Sequence, residues 1–371
     1  MTSALFSPIK LADLELRNRI VVAPMCQYSA NDGCASDWHM THLGMLANSG
    51  AGLVVIEATH VERQGRITHG CLGLYNDANE AALERVIRHC KRIGKSKFGI
   101  QLAHAGRKAS SQRPWEGGKG LKPNGAGSDE PWETMGPSPI PHGRDWPAPR
   151  EMTAKDFARL PELFVAAARR AVRIGFDEIE LHMAHGYMLH SIQTPISNQR
   201  NDEYGPGRQA GWRYLFDLAA EVRAAVPRGI PVGARITGSD WAEGGLTTDD
   251  AVDFARGLKE AGLDFVCVSS GGAQADIRTP TAPGYNVPAA ERIRREAGIA
   301  TRAVGLITSP QQAEDIVAAG KADLVAIGRA FLDDPHWAWE AARQLGAEVE
   351  RPNQYLRVSR ALWQGVAQPR A

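Results

Sequence analysis

Eight short apolar runs recur along the chain, and a helical pattern separates each run from the next. Near-continuous apolar runs, unlike alternating ones, are typical of strands that are covered on both faces, as in a parallel sheet. We number these predicted strands one to eight. They are RIVVAPM from Arg19, GLVVIEA from Gly52, FGIQLA from Phe98, DEIELHM from Asp177, IPVGARI from Ile230, DFVCVSS from Asp264, TRAVGLI from Thr301 and DLVAIGR from Asp323.

The segments between the runs carry helix start and stop signals. A Ser or Thr N-cap opens three of them, and a glycine ends each of these three just before the next strand. The N-caps are Thr153, Thr247 and Ser309, and the glycines are Gly175, Gly262 and Gly320. Eightfold alternation of strand and helix predicts an α/β protein with a (β/α)8 TIM barrel. A doubly wound open sheet is the alternative, but APMCQYSANDG follows strand one where that fold wants G-x-G-x-x-G.

Three segments fall outside the alternation. Ile9–Asn18 alternates around a turn, which predicts an N-terminal β-hairpin that closes the barrel floor. Residues 112–150, after strand three, hold 8 of the 22 Pro and 3 of the 9 Trp of the chain. This segment is too rich in Trp for a disordered linker and predicts an ordered capping subdomain over the barrel mouth. Residues 346–371 form a C-terminal tail, and we interpret residues 1–371 as a single domain with these additions.

Charge and cysteine content narrow the classes of function. Lys plus Arg number 43 and Asp plus Glu number 42, without a block of like charge. We therefore expect no nucleic acid and no membrane among the partners. Five cysteines without a C-x-x-C pair argue against a disulfide framework and against zinc or iron–sulfur sites. The opening MTSALFSPIK lacks the apolar region of a signal peptide, and no run reaches the length of a membrane span. We expect a cytoplasmic protein.

The ends of strands seven and eight predict a phosphate site. In barrels of this type the chemistry lies at the C-terminal ends of the strands, and a phosphate commonly binds to the last two loops. Gly305 ends strand seven, and Gly328 and Arg329 end strand eight. Glycine permits a close backbone approach, and arginine supplies a charge-assisted contact. Glycines also end strands for conformational reasons alone.

Arg235 lies in the middle of strand five, on the expected inner wall of the barrel. An unpaired buried arginine is strongly destabilising, so either a structural ion pair or an anionic ligand across the mouth must balance its charge. Both interpretations remain open from the residues. Gln101 on strand three offers a donor and an acceptor that suit the edge of a heterocycle.

Strand four ends in H-M-A-H-G-Y, with His182, His185 and Tyr187. Barrel metallohydrolases carry H-x-H at the first strand and Asp at the eighth, where this chain has P-M-C and G-R. We therefore expect no metal and favour two imidazole donors aimed at a carbonyl or nitro oxygen. His39 and His42, one turn apart on a predicted helix, are interpreted as structural.

Several dispersed motifs together resemble the old yellow enzyme family of FMN-dependent, NAD(P)H-oxidising ene-reductases on a (β/α)8 barrel. The resemblance covers about residues 5–345. The pairing of Cys26 and Tyr28 with H-x-x-H-G-Y is similar to the xenobiotic reductase and thermophilic-like branch. The motifs are LRNRIVVAPMCQY, GIQLAHAGRKAS, RPWEG, EIELHMAHGYMLHSI, TPISNQRNDEYG, AVGLI and DLVAIGRAFLDDP.

The resemblance implies an NADPH dehydrogenase or ene-reductase that reduces activated C=C bonds of α,β-unsaturated carbonyls, and nitro compounds, by ping-pong hydride transfer. FMN would be the cofactor and NADPH or NADH the donor. Arg235 would bind the N1–C2 oxygen edge of the flavin, His182 and His185 the substrate oxygen, and Tyr187 would donate the proton. The implied cofactor-binding residues are Ala23, Pro24, Met25, Cys26, Ala58, Gln101, His182, Arg235, Ser269, Ser270, Gly271, Gly305, Gly328 and Arg329. The implied substrate-binding residues are Cys26, Tyr28, His182, His185, Arg357 and Trp363.

Departures from the family pattern leave alternatives open. After NDEYG the family usually continues G-S-x-x-N-R-x-R-F, whereas this chain reads PGRQAGWRYLF, which leaves the start of the next helix uncertain. A 2,4-dienoyl-CoA reductase would need a cysteine cluster and a second flavin domain. A flavin-free phosphosugar isomerase or lyase barrel and a flavin-binding sensor remain as rivals. The residues do not decide between NADH and NADPH, nor do they identify the substrate.

The tail carries the last expectation. QYLR resembles a C-terminal Q-Y-x-R motif whose arginine, in thermophilic-like members, reaches into the neighbouring subunit. Trp and Arg are also frequent interface anchors, although a solvated surface is the simpler interpretation. We therefore predict a homodimer or homotetramer in which Arg357 or Trp363 lies near the partner's barrel mouth, close to Tyr28.

Overall fold

Eight parallel strands close into a barrel in the computed structural model, which describes residues 3–123, 129–144, 146–359 and 362–363. The strands of the described residues are β1 Ile9–Leu11, β2 Leu14–Leu16, β3 Ile20–Val22, β4 Leu53–His60, β5 Lys97–Ala103, β6 Met135–Gly136, β7 Arg150–Glu151, β8 Glu178–Met183, β9 Val232–Thr237, β10 Phe265–Ser269, β11 Ala300–Ala303 and β12 Leu324–Ile327. The barrel follows the order β3-β4-β5-β8-β9-β10-β11-β12 and closes between β12 and β3. All eight predicted strands are present, so the predicted (β/α)8 fold class is confirmed.

Helices connect the barrel strands. They are α1 Asp37–Ala47, α2 Asp77–Ile93, α3 Ala154–Ile174, α4 Met188–Gln193, α5 Gly211–Ala225, α6 Thr248–Glu260, α7 Val287–Ala297, α8 Pro310–Ala318, α9 Arg329–Asp333 and α10 Trp337–Gln344. The predicted caps form, since the side chains of Thr153, Thr247 and Ser309 each accept a backbone N–H of the first turn. The helix whose start was uncertain, α5, begins after Ala210 without a side-chain cap.

The N-terminal hairpin closes the barrel floor, as predicted. Strands β1 and β2 pair antiparallel, with Ile9 opposite Leu16. Leu11, Leu14 and Leu16 pack in one cluster with side chains of the barrel interior, among them Leu53 and Phe265. This end of the barrel therefore contains apolar contacts, and the polar chemistry lies at the other end.

The segment after β5 lies against the opposite, C-terminal end of the barrel. Buried Arg107 donates to the carbonyls of Ile140, at 3.1 Å, and of Ala273. The backbone N–H of Ala275 donates to the carbonyl of His142 at 2.9 Å. These bonds fix the insertion to the loop after β10, so it borders the mouth as the sequence predicts.

A charged cluster occupies the middle of the barrel. Glu178 and Glu180 project inward from β8, and Arg302 projects from β11 between them; all three are fully buried. Arg302 Nη2 lies 2.7 Å from Glu178 Oε2, and Nη1 lies 3.3 Å from Glu180 Oε2. Gln101 Nε2 donates to Glu180 Oε1 at 2.7 Å, which joins the cluster to β5.

None of the helices in the described ranges is long and apolar enough to cross a membrane.

Candidate functional site

A cavity of about 220 Å³ opens at the C-terminal ends of the barrel strands. Eight of the residues predicted to bind the cofactor line it: Ala23, Pro24, Met25, Arg235, Ser269, Gly305, Gly328 and Arg329. The other predicted cofactor residues, Cys26, Ala58, Gln101, His182, Ser270 and Gly271, are not part of this lining. Strand pairing places His182 beside the cavity, because it lies opposite Arg235, whereas Ala58 and Gln101 lie opposite each other on β4 and β5.

Of the two arginines that line this cavity, Arg235 is the one that lies on a barrel strand. Its Nη2 lies 3.5 Å from Ser269 Oγ, and its buried Nε has no hydrogen-bond partner among the described residues. No carboxylate of the described chain pairs with it, so the interpretation as a structural ion pair is not supported. A guanidinium in this position fits an anion or an electron-rich ligand edge.

The far end of the cavity suits a phosphate. Gly305 has φ +112°, and a Cβ there would meet the Tyr285 ring at 3.1 Å. Buried Asn286 accepts a hydrogen bond from Ser270 Oγ at 2.6 Å, while its Nδ2 has no partner within the described part of the chain. Tyr285 and Asn286 were missed from the sequence, because they lie far along the loop after β10 and follow no strand end. Asn286 borders the cavity, with its Nδ2 3.1 Å from the Cβ position of Gly305, and Arg235 lines the cavity without a carboxylate partner among the described residues. An amide donor and a guanidinium so placed fit the anionic cofactor that the sequence predicted.

His182 and His185 form the polar wall of the mouth. The backbone N–H of Ala184 lies 3.3 Å from His182 Nδ1, which places the proton of neutral His182 on Nε2. That Nε2 is 3.3 Å from His185 Nδ1, and His185 Nε2 is 2.8 Å from Ser269 Oγ. Because the Nε2–H of His182 faces it, His185 Nδ1 accepts in this structure, and the His185 proton lies on Nε2 toward Ser269. The Ser269 hydroxyl can also donate, so His185 can carry its proton on Nδ1 when a ligand oxygen accepts from both rings. Both imidazoles can therefore offer an N–H to one ligand oxygen.

Burial sets the charge state of these groups. Loss of solvation, followed by the charge of Arg235, lowers the pKa of His182 and of His185 well below the usual value. Loss of solvation raises the pKa of Tyr187 well above its usual value. At neutral pH the site therefore holds two neutral imidazoles and a phenol that keeps its proton, as a proton donor must.

Tyr187 packs against His182, with ring centroids 4.9 Å apart. Lys108 lies over the Tyr187 ring at 4.8 Å and donates to the carbonyl of His185 at 2.7 Å. Burial, together with Arg107, lowers the pKa of Lys108 to about 8. Lys108 was not predicted from the sequence, although it lies in the motif GIQLAHAGRKAS.

Tyr28 and Cys26 pack against the same apolar cluster as Tyr187. Tyr28 has φ +52°, a strained conformation for a residue with a side chain, and its ring meets Trp115 of the capping segment edge-on at 5.8 Å. Loss of solvation, with Cys71 nearby, raises the pKa of the Cys26 thiol. Cys26 is thus a neutral thiol, and Trp115 adds an aromatic wall.

Two predicted substrate residues lie away from the mouth of their own chain. Arg357 and Trp363 are exposed, and neither forms a hydrogen bond or ion pair with a mouth residue in the described structure. The tail begins by packing on α10, where Tyr355 lies 6.0 Å from Trp339 between ring centroids.

His39, expected to be structural, lies on α1 with its Nε2 3.2 Å from Glu57 Oε1. Glu57 in turn accepts the backbone N–H of Gln27, so this buried pair supports the loop that carries Cys26 and Tyr28. No group of three or more His, Cys, Asp or Glu side chains in the described ranges could hold a metal ion.

Comparisons with known proteins give one consistent result. Residues 4–348 match the model of the NADH:flavin oxidoreductase / NADH oxidase family. The chain is 42% identical over 359 residues to an NADPH dehydrogenase of Geobacillus thermodenitrificans, covering 96% of this chain and 99% of the relative. It is 42% identical over 357 residues to an NADPH dehydrogenase of Listeria innocua, with the same coverage.

Among solved structures, morphinone reductase aligns with a TM-score of 0.76 at 22% identity, over 95% of this chain and 92% of the other. A 2-naphthoyl-CoA reductase complex aligns with a TM-score of 0.81 at 22% identity, over 92% of this chain and 52% of the other. These likenesses show the barrel fold. Together with the family match they confirm the resemblance drawn from the sequence motifs, an oxidoreductase with FMN and a nicotinamide donor.

Proposed function

Because the chain belongs to the NADH:flavin oxidoreductase / NADH oxidase family, we propose that it reduces activated C=C bonds of α,β-unsaturated carbonyls, with nitro compounds as a second substrate class, in a ping-pong cycle. One observation carries the proposal. Two neutral imidazoles and a protonated phenol lie beside a cavity in which Arg235 has no carboxylate partner among the described residues. That arrangement suits an uncharged oxygen acceptor next to an anionic cofactor.

The residues of the cavity fit FMN. Arg235 and Gln101 would hold the polar edge of the ring system, and Gly305, Gly328 and Arg329 the phosphate. Bound FMN would supply the redox chemistry, taking a hydride from NADPH or NADH and returning it to the substrate. Arg235 would stabilise the negative charge that collects on the ring edge on reduction.

The protein's own residues would then act on the substrate oxygen and on the α-carbon. His182 and His185 would donate to the carbonyl oxygen, where negative charge develops, and so would stabilise the transition state more than the substrate. Tyr187 would transfer its proton to the α-carbon. Tyr28, Cys26 and Trp115 would enclose the rest of the substrate.

The cofactor separates this proposal from its rivals. Purified protein should be yellow and release FMN on denaturation, and NADPH should bleach the colour without oxygen. Addition of 2-cyclohexenone should restore it. A colourless protein that takes up no FMN would favour the flavin-free barrel, and a flavin that NADPH does not reduce would favour a sensor.

Tyr187→Phe tests the role of the phenol. Loss of a general acid commonly costs about 10²-fold or more in rate, so stopped-flow reoxidation by 2-cyclohexenone should slow by this factor. Reduction by NADPH needs no proton from Tyr187 and should stay within about twofold. Tyr75→Phe is a control, because the Tyr75 hydroxyl bonds to the Asp32 carbonyl away from the mouth. Unchanged enone reduction in Tyr187→Phe would assign the proton to another donor.

The tail supports a further part of the proposal, a homodimer or homotetramer. Tyr355, Leu356, Leu362 and Trp363 are large apolar residues that the tail exposes. Arg357 or Trp363 would reach the partner's mouth near Tyr28. Truncation after Gly346 should then raise the KM for 2-cyclohexenone and leave the yellow colour. The number of subunits per particle, obtained by light scattering, should fall. Met45→Ala removes a comparably exposed residue of α1 as a control. A truncated protein with the same number of subunits and the same kinetics as the full-length protein would show that the tail is solvated surface.

A further inference from the structure

The turn that carries the oxygen-binding and proton-donating residues has a strained backbone. His185 has φ +62°, in the left-handed region that a residue with a Cβ rarely adopts, and Gly186 follows with φ +73°. A conformation of this kind costs about 1–3 kcal/mol and persists only where surrounding groups hold it. Small changes in this turn would move the His185 ring and the Tyr187 hydroxyl together.

Side chains bind the backbone of this turn on both sides. The N–H of Gly186 donates to His190 Nδ1 at 2.8 Å, and the carbonyl of Gly186 accepts from Ser191 Oγ at 3.0 Å. Lys108 holds the carbonyl of His185. His190 and Ser191 lie on α4, directly after the turn, and both are fully buried.

His190 has a second partner on another element. Its Nε2 lies 3.1 Å from Oδ1 of Asp240, which follows β9, and both side chains are fully buried. The two atoms are at ion-pair distance but are not aligned as a hydrogen bond. Asp240 Oδ2 accepts from Thr194 Oγ1 at 2.7 Å and from the N–H of Leu246 at 2.9 Å. Burial raises the pKa of Asp240, but His190 and the hydrogen bond from Thr194 outweigh it, so the net pKa is lowered. The carboxylate is therefore ionised at neutral pH.

We propose that Asp240 and His190 are positioning residues for the catalytic turn. Asp240 attracts the imidazole proton to Nε2, which leaves Nδ1 with a lone pair for the N–H of Gly186. The pair thereby fixes the turn in which His185 and Tyr187 face the substrate. The proposal rests on the proposed function, because that function gives His185 and Tyr187 their parts in the reaction. Asp240 and His190 would orient these two residues.

Asp240→Asn tests the proposal, because an amide can donate to His190 where the carboxylate can only accept. The N–H of Leu246 can only donate, so the amide oxygen of the new side chain must face it. The amide NH2 then faces His190 Nε2 and forces the imidazole proton onto Nδ1, where it opposes the N–H of Gly186. Size and shape barely change, whereas the hydrogen-bond direction at the turn reverses.

A change in the residues that support catalytic groups commonly displaces those groups and lowers the reaction rate about 10- to 100-fold. In Asp240→Asn, reoxidation by 2-cyclohexenone should slow by this factor. Phenol, whose oxygen would accept from His182 and His185, should bind the oxidised holoenzyme at least tenfold more weakly. The ¹⁵N shifts of His190 in histidine-labelled holoenzyme should exchange between the two ring nitrogens. Thr194→Val is the matched control, because it removes another bond to the same carboxylate without reversing the proton. It should change reoxidation less than threefold.

A second pair of variants keeps the test open if Asp240→Asn does not fold. In His190→Gln the amide can present oxygen to Gly186 and NH2 to Asp240, so reoxidation should remain within about fivefold of the parent. In His190→Met the side chain has a similar volume but forms no hydrogen bonds, so the rate of reoxidation should fall at least tenfold. Equal rates for His190→Gln and His190→Met, or equal rates for Asp240→Asn and Thr194→Val, would overturn the proposal and make the pair structural. If the parent protein reduced no enone, the proposed function would fail, while phenol binding and the ¹⁵N shifts would still test the turn.

Discussion

Two arginines on the inner wall of the barrel have opposite surroundings. Arg302, on β11 in the middle of the barrel, is fully buried and lies within 3.3 Å of two carboxylates, Glu178 and Glu180. Arg235, on β9 at the mouth, has no carboxylate partner in the described structure, and its guanidinium donates to a serine hydroxyl at 3.5 Å. The same residue type thus serves as part of the core in one place and as an unsatisfied group in the other.

The difference shows how the molecule separates stability from binding. The protein neutralises the charge of Arg302 itself, and Glu178 and Glu180 raise its pKa although burial acts in the opposite direction. At the mouth no carboxylate of the described structure balances the charge of Arg235, so the cofactor would supply part of the balancing negative charge. We therefore expect changes at Arg302 to act on folding and changes at Arg235 to act on cofactor binding.

The largest expected effect is that of Arg302→Met on stability. Removal of one member of a buried ion cluster leaves uncompensated charge and typically costs about 3–5 kcal/mol. Urea unfolding, followed by circular dichroism, should show a loss of this size in the free energy of unfolding. Arg302→Lys keeps a cation and should lose less. Equal stability of Arg302→Met and the parent would mean that solvent or protonation compensates the cluster.

Arg235→Met should show the reverse pattern. Hydrogen bonds to charged groups contribute about 1.5–3 kcal/mol, so the Kd for FMN, measured by fluorescence quenching, should rise about 10- to 100-fold. The apoprotein should unfold at the same or a higher urea concentration than the parent, because an unpaired charge has been removed. Unaltered FMN affinity with reduced stability would show that Arg235 belongs to the core after all.

The sequence predicted the position of Arg235 at the mouth, but it did not predict the partners of either arginine. The apolar runs identified all eight strands, and the fold rule then placed Arg235, Gly305 and Arg329 at the mouth. It could not decide whether Arg235 was paired, because that depends on which residues face it across the closed barrel. The partners of Arg302 lie on β8, more than a hundred residues away, and no local pattern encodes that meeting.

The residues missed at the site have the same physical cause. Asn286 and Asp240 lie in loops, and their positions follow from the packing of the loops on one another. Lys108 follows the end of β5, and its contacts with the Tyr187 ring and the His185 carbonyl depend on how the segments after β5 and β8 pack together. Strand ends are therefore readable from periodicity, whereas groups that support them from loops need the folded structure.

The cluster around Arg302 should also make stability depend on pH. Burial raises the pKa of Glu178 to about 7, against the lowering effect of Arg302. Between the ordinary value of 4.5 and this value the folded state binds a proton that the unfolded state has lost. The contribution of Glu178 to the free energy of unfolding therefore falls as pH rises through this window, by roughly 3 kcal/mol. Glu178→Gln should remove this fall between pH 5 and pH 8 in urea titrations; an unchanged pH profile would contradict the assignment.

The smallest expected effect links the two regions through Gln101. Glu180 Oε1 accepts the Gln101 NH2 group, which leaves Gln101 Oε1 free to accept from a ring N–H of the cofactor. In Glu180→Gln the new amide can present either end to Gln101, so this orientation is no longer enforced. A neutral hydrogen bond contributes about 1 kcal/mol, and the Kd for FMN should rise about fivefold. Glu178→Gln is the matched control, because Glu178 bonds to Arg302 but not to Gln101; equal FMN affinity in the two variants would mean that the buried cluster does not orient Gln101.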